Sequence, residues 1–229
     1  MTDSIEAFIR EGEIQIEGRL VDASNATLLG KVRDDISVIY KPVAGERPLW
    51  DFPTGNLASR EVAAYELSRL GGFGLVPFTV LRNGPYGIGA VQQWIDVDEN
   101  IDVVSYAQSQ DTQLRKMALF DAVINNTDRK YGHILLDENG KLFGCDHGVT
   151  FHEDDKLRTV LWQFAGSPFT PDEMTQIQYL LKELPAWELH HYLSVTELAA
   201  LNLRLQMLAD TATFPFPSED WPAIPWPPF

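Results

Sequence analysis

The chain has 229 residues, with 18 lysines and arginines against 33 aspartates and glutamates, giving a formal charge of −15. That length supports a full core, and a composition 45% apolar and 22% charged excludes wholesale disorder. The acidic balance argues against nucleic-acid or anionic-membrane partners, and no apolar run nears the roughly 18 residues of a membrane span. The start, Met1-Thr2-Asp3-Ser4-Ile5-Glu6, lacks the basic and apolar regions of a signal peptide, and the single Cys145 excludes disulfide frameworks and cysteine-rich zinc sites. A soluble cytoplasmic protein is expected.

In chain order, Glu13 to Leu20 alternates strictly, the mark of a half-buried strand. Short strands are predicted over Thr27 to Val32 and Ile36 to Tyr40. After a proline-bearing loop, Ser59 reads as the N-cap of a helix from Arg60 to about Leu70, closed by Gly71-Gly72. Val76 to Leu81 and Gly87 to Ile95 read as a hairpin over Arg82-Asn83-Gly84-Pro85. Helical character follows. Leu114 to Ile124 is amphipathic; Ile134 to Leu136 and Leu142 to Cys145 form a second hairpin. Thr170-Pro171-Asp172-Glu173 is a helix start, and a last helix runs from near Ser194 to Leu208. The segment from Phe214 to Phe229 holds six prolines and two tryptophans and is predicted to be an extended tail packed on the body.

Four charged residues stand out by context. Lys41 ends the apolar strand Val38-Ile39-Tyr40-Lys41-Pro42, and Glu61 lies in the first turn of the next helix. Asp128 follows the helix ending at Ile124, and Asp146 follows the second hairpin, so the two aspartates flank that hairpin and can meet at one end of it. Singly each has a plain structural reading: a snorkelling lysine, a helix-dipole acid, two turn aspartates.

Together they resemble the working parts of a protein-kinase-like phosphotransferase. Asp128-Arg129-Lys130-Tyr131-Gly132-His133 is similar to the catalytic loop of phosphatidylinositol 3- and 4-kinases and HipA-type kinases, and Asp146-His147-Gly148 resembles their Asp-Phe-Gly. The chain is identified as a member of a short, phosphatidylinositol-kinase-like bacterial family found in actinobacteria. The resemblance implies an α+β two-lobe fold: a sheet lobe over residues 1–95, a helical lobe over 96–212, and the tail over 213–229. It implies transfer of the γ-phosphoryl group of ATP to a hydroxyl of a small molecule or protein, with Mg²⁺ or Mn²⁺ as cofactor.

Under that resemblance Asp128, Lys41 and Glu61 are the catalytic candidates, with Glu66 a weaker alternative to Glu61. Asp146 is the main metal ligand. His133 stands where the resembling kinases carry a metal-binding asparagine, and its neighbouring carboxylates are expected to raise its pKa. Ser24 and Asn25 are candidate phosphate contacts in a loop without the glycines of protein kinases, an ordinary Asx turn being the competing reading. Gln93, Trp94 and Ile95 form the hinge whose backbone would read adenine. Arg129 and Lys130 are expected to lend positive charge at a phosphate site, and His147 to act as a hydrogen-bonding pivot. Two alternatives stay open: a nucleotide-binding pseudokinase or interaction module, and an AMP-transferring enzyme on the same fold.

Overall fold

The alternating first third folds into a five-stranded antiparallel sheet in the computed structural model, which describes residues 5–20, 25–33, 35–52 and 56–229. A short helix, α1 (Ile5–Glu11), precedes β1 (Ile14–Arg19), β2 (Leu28–Val32) and β3 (Ile36–Pro42). After α2 (Leu57–Leu70) come β4 (Thr79–Gly84) and β5 (Gly87–Gln93), and the strand order is β1-β2-β3-β5-β4. β3 is therefore central, with Lys41 paired across to Ala90 of β5.

The β4–β5 turn differs from expectation. Gly84 pairs with Gly87, so the two-residue turn is Pro85-Tyr86, not Asn83-Gly84. The reason lies in Tyr40, whose hydroxyl donates to the Gly87 carbonyl at 2.6 Å. A Cβ on Gly84 would meet that ring at 2.7 Å, so the glycine serves close approach instead of turn geometry.

α2 starts three residues earlier than predicted. Its N-cap is Asn56, whose side chain accepts the Ser59 N–H at 2.7 Å, and the Glu46 carboxylate accepts the N–H groups of Leu57 and Ala58 at 3.0 and 2.9 Å. Both caps satisfy donors that a free helix start leaves orphaned. From Ala58 to Tyr65 every side chain is buried, including Arg60 and Glu61, so α2 is an interior helix and not a surface one.

The rest is mainly helical: α3 (Val103–Ala107), α4 (Thr112–Ile124), α5 (Pro171–Glu183) and α6 (Val195–Thr211), with one small hairpin of β6 (Ile134–Leu136) and β7 (Leu142–Gly144). Thr170 and Ser194 cap α5 and α6 in complete capping boxes with Glu173 and Glu197. One apolar core runs through the sheet and the helices, joining Tyr40 and Val91 to Leu67, Phe120, Leu201 and Leu205. Beyond α6 the chain has no helix or strand, but it is held at several points. The Phe214 N–H bonds Ser167 O at 3.0 Å, and Trp162 Nε1 bonds Ala223 O at 2.7 Å. The Tyr131 N–H bonds Pro228 O at 2.9 Å.

Candidate active site

Lys41 is the junction of the site. Its ammonium bonds Glu61 Oε1 on α2 and, at 2.7 Å, Asp146 Oδ1 beyond β7. Glu61 uses its second oxygen to accept the His147 N–H at 3.0 Å, so one carboxylate ties β3 to the segment after β7. Burial works against the Lys41 charge, but Asp146 and Glu61 more than offset it and hold the pKa above the usual lysine range. Lys41 in turn is the main reason that the half-exposed Asp146 stays far below the usual carboxylate range, against its own desolvation. Glu66, the weaker alternative, faces away and pairs with Arg69 at 2.6 Å. Asp146 has a left-handed backbone (φ 58°), which Asp tolerates better than most residues, and Gly148 lets the chain pass α2, since a Cβ there would lie 3.1 Å from that of Leu57.

The loop after α4 sets Asp128. α4 stops at Asn125 in a left-handed conformation (φ 50°), and the Asn126 side chain accepts the Asp128 N–H at 3.0 Å. Arg129 does not supply charge to a phosphate site as expected. It is 0% exposed and forms a two-pronged pair with Asp121 of α4, Nε to Oδ2 at 2.9 Å and Nη2 to Oδ1 at 2.8 Å. The same guanidinium donates to the carbonyls of His133 and Cys145 at 3.0 and 3.3 Å and to His147 Nε2 at 2.8 Å. A single buried cation thereby fixes the segments carrying Asp128, His133 and Asp146 relative to one another. Gly144 makes room for it, a Cβ there lying 2.9 Å from Nη1. Lys130 does stay in the cleft, its ammonium 3.3 Å from Asp128 Oδ2. Burial raises the Asp128 pKa, with Lys130 and His133 opposing and Asp146 assisting.

Asp128, His133 and Asp146 converge, one potential ligand atom of each lying within 4.8 Å of the others. His133 Nδ1 sits 2.8 Å from the Asp128 carbonyl, which only accepts, so Nδ1 carries the proton and Nε2 the lone pair in the neutral ring. Nε2 faces Asp146 Oδ2 at 3.4 Å. Two carboxylates with an imidazole form a donor set that fits a divalent ion. The expected rise in the His133 pKa does not occur. Burial lowers it, Arg129 and Lys130 add to that, and Asp146 and Asp128 only partly compensate.

Comparisons with known proteins place the family and the fold. The family described as phosphatidylinositol 3- and 4-kinase matches residues 106–211. Protein Rv2133c of Mycobacterium tuberculosis is 38% identical over 270 aligned positions, covering 100% of this chain and 97% of that protein. This chain belongs to the short bacterial phosphatidylinositol 3- and 4-kinase-like family. Phosphatidylinositol 4-kinase gamma 4 of Oryza sativa subsp. japonica is 29% identical over 145 positions, 54% of this chain but 26% of that protein. The crystal structure of the Golgi casein kinase with Mn/ADP bound shares the fold, with a TM-score of 0.58 at 14% identity over 89% of this chain and 73% of that one. The chain is thus an α+β, protein-kinase-like phosphotransferase.

In this kinase-like chain the candidate residues line one cleft of about 890 Å³ between the sheet and the helical part. The backbone groups of the expected hinge are not equally available. The Gln93 and Trp94 N–H groups are already bonded to Phe78 O and Ser37 O at 2.8 and 3.1 Å, whereas the Ile95 N–H has no partner among the described residues. Gln93 and Trp94 therefore have only their carbonyls and side chains for a base, and Ile95 is the remaining backbone donor. Asn25 lines the cleft, but its side-chain oxygen accepts the Arg47 N–H at 2.8 Å, leaving the amide nitrogen as its donor. Ser24 lies outside the described residues. Cys145 also lines the cleft, with burial pushing its thiol pKa up to about 12, so it stays protonated. Sequence reasoning missed Asp121; a carboxylate on the core face of α4, between Ala118 and Ala122, was the available signal.

Proposed function

We propose that this chain transfers the γ-phosphoryl group of ATP to a hydroxyl, with Mg²⁺ or Mn²⁺ as cofactor. The observation carrying the reading is the Glu61–Lys41–Asp146 chain of ion pairs meeting Asp128 and His133 in one cleft. Residues 1–95 would hold the nucleotide, 96–212 would supply Asp128, His133 and Asp146, and 213–229 would close one side. Lys41, oriented by Glu61, reaches the nucleotide phosphates; the Ile95 N–H and the Gln93 carbonyl face the base. Asp146 and Asp128 oxygens and His133 Nε2 would hold a divalent ion, which when bound neutralises phosphate charge and orients the γ-phosphoryl group.

Asp128 then takes the proton of the acceptor hydroxyl as its oxygen forms the new bond to the γ-phosphorus. The bond from that phosphorus to the β–γ bridging oxygen breaks, and ADP leaves with the electron pair. Positioning and charge supply most of the acceleration. No helix of the described residues is long and apolar enough to cross a membrane.

Incubation with γ-labelled and α-labelled ATP tests this. γ label in product supports phosphoryl transfer, α label indicates AMP transfer, and neither label indicates a nucleotide-binding interaction module.

A further inference from the structure

Arg158 is half-buried and lines the cleft, yet no acid among the described residues pairs with it. Its backbone N–H bonds Asn126 O at 2.9 Å, and its Nε bonds Thr127 O at 2.7 Å. Those two carbonyls belong to the residues just before Asp128, so Arg158 is tethered to the loop that carries Asp128, not to the Lys41–Asp146 pair. Nη1 and Nη2 have no hydrogen-bond or ion-pair partner among the described residues. A guanidinium fork held by one nitrogen presents its remaining edge in the geometry that a carboxylate or phosphate takes up.

A second cation stands nearby in sequence and in the cleft lining. Lys156 is only 4% exposed, and its ammonium lies 4.2 Å from the Trp221 ring centre and 5.2 Å from that of Trp50. The ammonium bonds His152 Nε2 at 3.1 Å and makes longer ion pairs with Asp51 and Asp154, at 3.7 and 4.0 Å. The two indoles come from the loop before α2 and from the tail, so both segments wall this end of the cleft.

We propose that this end is the acceptor subsite, and that it selects a small soluble alcohol carrying a carboxylate or phosphate group. Arg158 grips the anionic group, Lys156 adds to the local potential, and the hydroxyl is left at Asp128. The inference rests on the phosphotransfer reading. A soluble acceptor is favoured over a lipid because the tail and the Trp50 loop flank the subsite, and because a chain of charge −15 is repelled by anionic bilayers.

The test uses the full chain with γ-labelled ATP and Mn²⁺, comparing glycerophosphate and glycerate with glycerol, and inositol monophosphate with inositol. A further arm offers phosphatidylcholine vesicles doped with phosphatidylinositol. In parallel, ligand-observed NMR measures glycerophosphate and glycerol binding, and a separate titration measures ADP binding with Mn²⁺. Anionic acceptors should be preferred over their neutral twins by about 10- to 100-fold in kcat/KM, the range of a charge-assisted hydrogen bond. Arg158→Ala should collapse that ratio toward one, with Arg158→Lys intermediate, and should weaken glycerophosphate binding in the NMR arm. Equal use of neutral and anionic twins, or label passing only to vesicles, overturns the proposal. ADP binding without glycerophosphate binding overturns the subsite and spares the phosphotransfer reading. Glycerophosphate binding that depends on Arg158, without transfer of γ label, supports the subsite and counts against that reading.

Discussion

Arg60 of α2 and Glu197 of α6 form a buried ion pair, with Nε and Nη2 at 2.8 and 2.5 Å from one carboxylate oxygen. The other Glu197 oxygen accepts the Ser194 N–H at 2.8 Å and so completes the α6 capping box. Arg60 also donates to Asn56 O at 3.2 Å and lies over the Phe52 ring. Because Glu61 is the next residue, this pair anchors the stretch of α2 that meets Lys41. Removing one partner of a buried pair leaves a charge unmatched, at a cost of about 3–5 kcal/mol. Arg60→Met should therefore lower the unfolding free energy from urea titration by that amount, and Arg60→Met combined with Glu197→Gln should recover part of it. A loss under about 1 kcal/mol would show that α2 is held by packing alone.

Lys41 and Glu61 should behave as one unit. Each single alanine substitution should impair nucleotide use, and the double variant should be little worse than either, with a coupling of about 0.5–3 kcal/mol. Additive losses in a double-mutant cycle on kcat/KM would contradict the contact. Asp146→Asn removes the charge that both Lys41 and a divalent ion require. Metal-dependent ATP turnover should fall by more than the roughly 10- to 100-fold typical of losing an outer-shell partner. Turnover near the wild-type rate would count against the phosphotransfer reading as a whole.

His147 gives a pH-dependent term in stability. It is fully buried, and desolvation, followed by Arg129 and Lys41, holds its pKa well below the ordinary imidazole value. In the unfolded chain it titrates near 6.5. Below that pH the unfolded state binds a proton that the folded state refuses, so stability falls as pH falls. The slope reaches at most about 1.4 kcal/mol per pH unit for one proton. His147→Gln keeps an acceptor for Arg129 but does not titrate. Urea unfolding between pH 5 and 7.5 should show a shallower acid loss for this variant than for the wild type. Parallel profiles would mean that His147 takes up its proton in the fold as readily as in the unfolded chain.

These residues show where a sequence can be read. Lys41, Asp128 and Asp146 are legible because each ends a strand, helix or hairpin whose pattern is strong, and element ends are where a cleft collects side chains. Thr170 and Ser194 are legible for a similar reason, since a cap is a local chemical requirement. α1 and α3, at seven and five residues, are too short for periodicity to register. Arg129 was misassigned because its charge is visible in the sequence, whereas the long-range burial that turns it toward Asp121 is not. His133 failed in the same way. Its charged neighbours can be counted along the chain, but the desolvation that dominates its pKa depends on packing from β6, β7 and the loop together. At the hinge, which backbone donors stay spare is known only once the strand partners have taken theirs.

The last prediction concerns His133 and the choice of metal. Its Nδ1–H is committed to the Asp128 carbonyl, so the ring is held in the tautomer that aims Nε2 at Asp146. Burial keeps the ring neutral at neutral pH, and no proton has to be displaced before Nε2 can donate to an ion. A nitrogen donor suits Mn²⁺ better than Mg²⁺, which prefers an all-oxygen octahedron. Wild-type turnover should therefore be supported by Mn²⁺ at least as well as by Mg²⁺. His133→Asn replaces the nitrogen with a neutral oxygen of similar reach, so the fold and some activity should survive. The ratio of Mn²⁺- to Mg²⁺-supported kcat/KM should then fall, on the order of 10-fold. His133→Phe, which offers no donor, should lose activity with both ions and separates ligand loss from a change of preference. An unchanged ratio in His133→Asn, with Mn²⁺ affinity also unchanged by electron paramagnetic resonance titration, would show that the ring only supports the Asp128 loop.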